Sequence, residues 1–306
     1  MRKTLCFSLF IVLLFSVTSC GLLDNQDTYP GYVRHCIRLM DRYGLYSDTP
    51  EWKASKKEFL AAADTVSDLG WANYLVYQAA QVAGGKHSGL SAPLRDTVNY
   101  PEFAPEARML EGGIAYIKLP EHSGAQVSDS LYAYSVLHFL QEHSSAAGVV
   151  LDLRDNTGGN MYPMISAVSP LLPDGVILQF KGKKRTTPVT LDFVLRYVGI
   201  DASQIRKFPE RTPVAILTND MTASSREATL LCFRGLDNTR TFGSPTAGYA
   251  SANQPFRLKN GYSLVLTTGC DVARTGEVFC DDPIAPDVET ETPLEDAISW
   301  IQSTAP

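Results

Sequence analysis

The amino-acid sequence predicts an α/β protein with a mixed sheet, preceded by a small helical domain. Residues 29–84 repeat apolar side chains at the spacing of helices. Residues 114–153 have the pattern of strand, helix and strand, a unit whose crossover makes the two strands parallel. Residues 213–235 have the pattern of a buried strand, a polar turn and an apolar helix, which adds a further strand of the same type.

The first twenty residues predict export. A basic start precedes an apolar run from Leu5 to Val17, which is too short for a membrane span and typical of a secretory signal. The stretch Val17-Thr18-Ser19-Cys20 resembles the lipobox of bacterial lipoproteins, in which the cysteine is acylated and becomes the new N-terminus. We therefore expect a signal peptide over 1–19, lipidation of Cys20 and a tether over 20–28. The product would be a lipoprotein of the bacterial cell envelope, anchored to a membrane and facing the periplasm or the surface. The alternative is an ordinary signal peptide with a chance cysteine.

The charge and the cysteine and histidine spacings limit the partners of the chain. The formal net charge of −6 becomes −8 when residues 1–19 are removed, because they hold two basic and no acidic side chains. An acidic protein is a poor match for nucleic acid or for an anionic lipid surface, so neither is expected as the main partner. No Cys-x-x-Cys or His-x₃-His spacing occurs, so no metal site is expected.

The predicted helical domain covers residues 29–90 and holds about three helices. It ends in the loop Gly84-Gly85-Lys86-His87-Ser88-Gly89. A loop histidine between glycines has little packing role, so His87 is a candidate for proton transfer near neutral pH. Simple exposure to solvent is the alternative.

The second predicted domain covers residues 91–306 and starts with a Pro-rich, irregular linker that reaches residue 112. Strands are expected at Ile114–Leu119 and Gly148–Leu153, joined by an amphipathic helix at Val127–Glu142.

A glycine pair, Gly158-Gly159, follows the second of these strands. Glycines at the carboxyl end of a parallel strand let the backbone approach a ligand, at the edge where such sheets bind. No phosphate-loop pattern accompanies the pair. Asp152 and Arg154, just before it, can simply pair with each other.

Residues 181–209 have the composition of an insertion after a strand at Val176–Phe180. An apolar helix is expected near Phe193–Val198. The insertion begins with basic side chains, which we interpret as a solvated hairpin: Lys181, Lys183, Lys184 and Arg185.

The turn Asn219–Glu227 follows a predicted strand and opens a predicted helix that ends at Gly235. N–H groups at a helix start lack intrahelical partners and carry the positive end of the dipole. A serine there can attack a carbonyl while those groups hold the oxyanion, which makes Ser224 a candidate nucleophile. Because Glu227 stands three residues on, a helix-capping box is the competing interpretation.

Further elements are expected beyond this helix. Asn260-Gly261 predicts a hairpin, and a helix is expected at Leu294–Ile301. Cys270 and Cys280 flank another predicted hairpin, and in an exported protein they are candidates for a disulfide.

Four motifs, in order along the chain, resemble the tail-specific, or C-terminal-processing, serine peptidases. Gly148–Gly159 resembles their strand-and-glycine motif, and Thr222-Ala-Ser-Ser-Arg-Glu227 resembles Ser-Ala-Ser-Ala-Ser-Glu, whose serine three before the glutamate is catalytic. Gly243–Gly248 is similar to their Gly-Glu-Pro-Thr-x-Gly loop, and Ile284–Asp287 to the closing Gly-Ile-x-Pro-Asp. The resemblance spans roughly residues 85–290. It implies a crotonase/ClpP-like ββα-type core, Ser224 as nucleophile, peptide or unfolded-protein substrates, and no metal or cofactor.

The sequence departs from these peptidases at the general base, which in them is a lysine further along the chain than the nucleophile. The corresponding loop here ends in Tyr249, and the helix from Glu227 to Gly235 holds no lysine. A tyrosine with its usual pKa of about 10 is a poor base at neutral pH. The related branch that includes the tricorn core peptidase uses a histidine in a Gly-x-His-Ser/Thr context, and this resemblance implies His87.

The same resemblance implies the remaining groups of the site. An acid near the end of the catalytic domain is expected to assist the histidine. We take Asp281, with Glu277, Asp282 and Glu227 as the alternatives. The oxyanion hole would use the N–H of Ser225 and one from Gly158 or Gly159.

Only 26 residues separate His87 from Ile114, too few for the PDZ domain that many of these peptidases carry there. The sequence therefore favours a lipid-anchored serine endopeptidase without that substrate gate. The alternative is an inactive protein of the same fold that binds peptides or apolar ligands. An acyl-CoA enzyme of crotonase type is less favoured, because no basic nucleotide-binding patch accompanies the glycine pair.

Overall fold

The computed structural model describes residues 26–93, 104–122 and 129–304. The predicted signal peptide and Cys20 lie outside the described residues. No helix in the described ranges combines the length and apolar character needed to cross a membrane.

The N-terminal part is the predicted set of three helices: α1 at Tyr29–Tyr43, α2 at Pro50–Ala63 and α3 at Leu69–Gly84. Each helix begins after a polar residue whose side chain accepts a backbone N–H of the first turn: Thr28, Thr49 and Asp68. These caps satisfy donors that the helix itself leaves free. The expectation of about three helices is therefore confirmed.

Twelve strands and five more helices follow within the described ranges. The strands are β1 Gly89–Ser91, β2 Glu106–Leu110, β3 Ile114–Lys118, β4 Gly148–Asp152, β5 Val176–Gly182, β6 Thr186–Thr190, β7 Val214–Thr218, β8 Thr239–Gly243, β9 Ser251–Arg257, β10 Ser263–Val272, β11 Val278–Phe279 and β12 Val288–Glu289. The helices are α4 Asp129–Glu142, α5 Met161–Ala167, α6 Leu191–Val198, α7 Ser225–Phe233 and α8 Pro293–Thr304.

The main sheet has the strand order β12-β8-β7-β4-β3-β2 and is parallel except for β2, which is antiparallel to β3. Strands β4 and β7 are buried along their whole length. Alternate residues of these strands contact α4, α5 and α7 on one face and α8 on the other. The α/β fold with a mixed sheet is therefore confirmed. Strand β2 corrects the expectation that residues 91–112 form only an irregular linker.

A second sheet, entirely antiparallel, is centred on β10, which pairs with β1, β5, β9 and β11. The basic start of the predicted insertion is the turn of the β5–β6 hairpin, so the hairpin interpretation is confirmed. Cys270 in β10 and Cys280 after β11 form a disulfide, with 4.7 Å between their Cα atoms.

The helices and the second sheet share one hydrophobic core. Leu264 and Leu266 of β10, and Leu258 directly after β9, are buried among apolar side chains of α1 and α3. Strand β1, directly after the loop that carries His87, pairs with β10. The N-terminal helices thus hold this loop against strands from the C-terminal half of the chain.

Candidate active site

The turn between β7 and α7 carries Ser224. Its φ of 56° makes it one of only two non-glycine residues with positive φ in the described chain. Such a conformation is strained, and it persists where the surroundings over-determine it. Thr222 contributes to this, because its hydroxyl donates to the carbonyl of Leu153 at 2.9 Å. Ser224 is half-buried, so a substrate can reach its hydroxyl.

Glu227 fixes the conformation of the turn that carries Ser224. Its buried carboxylate accepts four hydrogen bonds, from Ser224 N at 2.8 Å, Thr246 Oγ1 at 2.5 Å, Gly248 N at 2.9 Å and Tyr249 N at 2.7 Å. Burial raises the pKa of Glu227, and the four donors oppose that rise. The carboxylate part of the predicted capping box is therefore present, and Glu227 also fastens the nucleophile turn to the Gly243–Tyr249 loop.

The glycine pair lies against the nucleophile turn. Gly158 has a φ of 122°, and a Cβ at this position would lie 2.9 Å from Ser224 Cβ. No larger residue fits there. The Ser225 hydroxyl donates to the carbonyl of Gly159 at 2.5 Å, which ties the two turns together.

The backbone donors predicted for an oxyanion hole differ in their availability. Ser225 is the first residue of α7, where N–H groups lack intrahelical acceptors. The N–H of Gly158 already donates to Asn156 Oδ1 at 2.8 Å. The N–H of Gly159 donates to no described residue, so Ser225 and Gly159 are the pair whose donors remain available.

His87 lies on the loop between α3 and β1. Its Nδ1 is 2.9 Å from the hydroxyl of Ser251, the first residue of β9. Burial lowers the pKa of His87 to about 4; Asp281 raises it and Lys86 lowers it further. The imidazole is therefore neutral at pH 7, as a general base must be.

Tyr249 is linked to both His87 and Ser224, to the first through its ring and to the second through Glu227. The rings of His87 and Tyr249 are 5.1 Å apart in an edge-on contact, and the N–H of Tyr249 shares one oxygen of Glu227 with that of Ser224. No hydrogen bond joins Ser224 directly to His87 within the described residues. A Ser224–His87 pair in direct contact therefore stays a prediction.

Asp281 lies close enough to His87 to raise its pKa, but its hydrogen bond is with Tyr46, whose hydroxyl donates to Asp281 Oδ2 at 2.8 Å. The group that hydrogen-bonds the imidazole is Ser251, to which no sequence pattern points. The alternative acid Glu277 forms an ion pair with Arg234 at 2.9 Å. That pair, with a bond from Thr275, lowers the pKa of Glu277 to about 2.

A lysine does reach the Gly243–Tyr249 loop, but from the histidine loop. Lys86 Nζ donates to the carbonyl of Ala247 at 3.0 Å and lies 4.6 Å from the centre of the Tyr249 ring. Lys86 precedes the nucleophile along the chain, whereas the lysine of the processing peptidases follows it, so the family pattern does not point to Lys86.

Two arginines support the strand end below the site. Arg154 pairs with the buried Asp152 at 2.6 Å, as one interpretation of the sequence expected. Arg226 is completely buried and donates to the carbonyls of Leu153 and Arg154 at 2.9 and 3.2 Å. Burial lowers the pKa of Arg226 to about 10. No sequence pattern had pointed to Arg226.

The chain is similar to known proteins over the residues of the candidate site and over most of the remaining sequence. Residues 113–290 match the model of peptidase family S41. A nisin-resistance protein of Lactococcus lactis subsp. lactis is 34% identical over 279 residues, which are 89% of this chain and 86% of that protein. A carboxy-terminal-processing protease of Bartonella bacilliformis is 25% identical over 60% of this chain, but over only 40% of its own length. Among solved structures, a lipoprotein from Streptococcus agalactiae superposes with a TM-score of 0.82 and 33% identity, covering 90% of this chain and 96% of that one.

Proposed function

The chain belongs to peptidase family S41, and on that basis we propose that it is a serine endopeptidase in which Ser224 attacks and His87 is the general base. The observation that carries the proposal is the hydrogen-bonding distance between His87 Nδ1 and Ser251 Oγ. With the Nδ1 proton donated to Ser251, Nε2 keeps its lone pair and can accept the proton of a serine hydroxyl.

The proposed reaction has two halves. The Ser224 oxygen attacks the peptide carbonyl while His87 takes the hydroxyl proton, and the N–H groups of Ser225 and Gly159 bind the oxyanion. His87 then gives its proton to the departing amine as the C–N bond breaks. Water, activated by His87, cleaves the acyl-enzyme and restores the free serine.

The proposed contact between Ser224 and His87 forms as substrate binds. Catalytic hydrogen bonds are often long in structures without substrate and shorten in the Michaelis complex.

The proposed location is the cell envelope, with Cys20 as the lipid anchor. The lipoprotein neighbour from Streptococcus agalactiae and the Cys270–Cys280 disulfide support an exported protein. In a bacterial host, the wild-type chain should therefore incorporate an alkyne-labelled fatty acid, and Cys20→Ser should not.

The proposed substrate is a peptide or an unfolded protein. The 34% identical relative is named for resistance to nisin, so nisin is the first peptide to test. Cleavage would appear as two fragments in mass spectra of the digest.

A fluorophosphonate probe, which acylates activated serines, tests the proposed nucleophile. We expect the mature protein to be labelled, Ser224→Ala not to be labelled, and His87→Ala to be labelled at least 100-fold more slowly. Tyr249→Phe is the matched control and should keep labelling within about threefold, because its hydroxyl has no proposed role.

The second candidate is a protein that binds peptides without cutting them. It is favoured by one observation, the missing hydrogen bond between Ser224 and His87. A protein that binds nisin or a model peptide but is never labelled by the probe would support this candidate over the peptidase.

A further inference from the structure

The β5–β6 hairpin extends to the N-terminal helices and encloses a hollow. At the hairpin turn, Lys183 Nζ donates to the hydroxyl of Ser47 at 2.5 Å and lies 3.5 Å from Asp48 Oδ2. Both partners belong to the connection between α1 and α2. The space below this contact is a cavity of about 380 Å³, bounded by α1, the hairpin and strands β9 and β10.

The floor of the hollow consists of small residues on three neighbouring strands. Gly269 in β10 is paired with Gly182 in β5 on one side and with Ala252 in β9 on the other. None of the three carries a side chain beyond Cβ, so the sheet surface is left open at this point. The sequence thus keeps free a volume that larger side chains would fill.

The walls of the hollow are basic and aromatic. Arg42 and Tyr43 line it from α1, and Lys183, Lys184 and Arg185 line it from the hairpin. Among the described residues, only Lys183 of these cations has a carboxylate within ion-pair distance, and that partner, Asp48, is 80% exposed. Four cations around one cavity are a local exception in a chain of net charge −6. The hollow therefore attracts an anion.

The hollow is next to the candidate active site. Ala252 of its floor directly follows Ser251, which binds His87. Successive side chains of a strand point to opposite faces, so the two lie on either side of β9. Tyr46, which binds Asp281, precedes Ser47, which binds the hairpin. A peptide that passes the end of β9 needs about three extended residues, roughly 10 Å, to reach from the His87 side of this strand to the hollow.

We propose that the hollow is a substrate subsite for a carboxylate, belonging either to an acidic side chain or to a C-terminus a few residues from the bond that is cut. A carboxylate fits because arginine binds it with two parallel hydrogen bonds and lysine adds charge. This subsite rests on the proposed peptidase function for its role in catalysis, but binding of the carboxylate can be measured without it.

The test uses peptides that differ in a single carboxylate. One series moves a glutamate stepwise along an otherwise neutral peptide with an amidated C-terminus, with glutamine as its control. A second series compares the free C-terminal carboxylate with the amide. The values of kcat/KM are measured for the wild type, and the Kd of each fluorescent peptide is measured by anisotropy on Ser224→Ala.

We expect one position of the carboxylate to raise kcat/KM about tenfold and to lower Kd by a similar factor. Arg185→Glu should abolish this preference, and Ala252→Leu should also abolish it by filling the floor while leaving every charge in place. The matched control is Arg206→Glu, an exposed charge reversal in the same insertion but outside the hollow, which should keep the preference.

Equal affinity for acidic and neutral peptides, or a preference that survives Arg185→Glu, overturns the subsite. If no peptide is hydrolysed but acidic peptides still bind Ser224→Ala more tightly and lose that advantage in Arg185→Glu, the subsite stands and the peptidase proposal fails. The two series separate a side-chain carboxylate from a C-terminal one.

Discussion

Ser224 depends on Glu227 for its position. The serine has a backbone conformation that costs about 1–3 kcal/mol, and the carboxylate of Glu227 receives N–H groups from both turns that surround it. A buried anion that accepts four donors is worth more than a cap at an exposed helix end. The cap and the nucleophile interpretations of this sequence stretch are therefore compatible.

Glu227→Gln should disrupt both turns at once. Glutamine keeps one acceptor oxygen but turns an NH₂ group toward backbone donors, so we expect a loss of about 2–4 kcal/mol in the free energy of unfolding. Urea denaturation measures this loss, and fluorophosphonate labelling should fall with it. Glu210→Gln, at an exposed site, is the control. A loss below about 0.5 kcal/mol in Glu227→Gln, the range of ordinary surface substitutions, would contradict the role.

The pH dependence of hydrolysis should reflect the lowered pKa of His87. The imidazole accepts a proton only when it is neutral, and its pKa is about 4, so kcat/KM should stay high from neutral pH down to about pH 5. It should fall by half near pH 4, well below the usual histidine pKa of about 6.5.

The fall of kcat/KM at low pH is the acid limb of the pH profile. The neighbours of His87 should move this limb in opposite directions. Lys86→Met removes a cation and should shift it to higher pH, and Asp281→Asn removes an anion and should shift it to lower pH. Lys57→Met, an exposed residue of α2, should not move it. An acid limb at the same pH in the wild type, Lys86→Met and Asp281→Asn would show that the group that titrates is not His87.

For single residues, the sequence indicates candidate catalytic side chains by residue type and motif, but not the residues that contact them. Ser224 and His87 were selected because one stands at a helix start and the other between glycines. Ser251 and Lys86 were not selected, because their contacts reach across more than 160 positions. No local pattern encodes such contacts, which depend on how β9 and the histidine loop pack.

Among the elements, the parallel strands were the most predictable. Strands β4 and β7 are buried on both faces, so they stand out as continuous apolar runs. Strand β2 was not predicted because it lies at the edge of the main sheet and exposes three of its five residues. Its sequence, Glu-Ala-Arg-Met-Leu, has neither the alternation nor the β-branched residues of a typical strand.

The disulfide should both stabilise β10 and position Asp281, which directly follows Cys280. Replacing Cys270 and Cys280 by serine should lower the free energy of unfolding by about 2–3 kcal/mol, since the closed loop is short. It should also shift the acid limb of kcat/KM to lower pH, because Asp281 is released from the neighbourhood of His87.

Dithiothreitol provides the control for this prediction. It should reproduce both effects in the wild type and have no effect on the double variant. If the double variant is destabilised while its pH profile stays unchanged, the disulfide does not position Asp281.

At the scale of the whole molecule, the division into a helical domain over 29–90 and a second domain over 91–306 remains a prediction about folding. The structure qualifies this prediction, because the helices bury Leu264 and Leu266 of β10 and Leu258, which directly follows β9. The sequence could not indicate this shared core, since strands β2, β3, β4, β7 and β8 of the main sheet lie between its two parts along the chain.

A chain that lacks residues 26–84 should therefore fail to fold by itself. It would expose the three leucines and lose the support of the His87 loop, so we expect aggregation and loss of the cooperative thermal transition measured by circular dichroism. A soluble, cooperatively melting product would establish that the residues from 85 onward fold independently of the three helices.

The central position of β10 has a consequence for biosynthesis. This strand lies at 263–272, after the helices and strands it contacts, and it completes both the packing of the first three helices and the pairing of β1 and β9. A molecule that is still crossing the membrane carries its nucleophile but not the framework that presents the imidazole. On the proposed mechanism the protein thus stays harmless to its own secretion machinery until β10 has crossed the membrane.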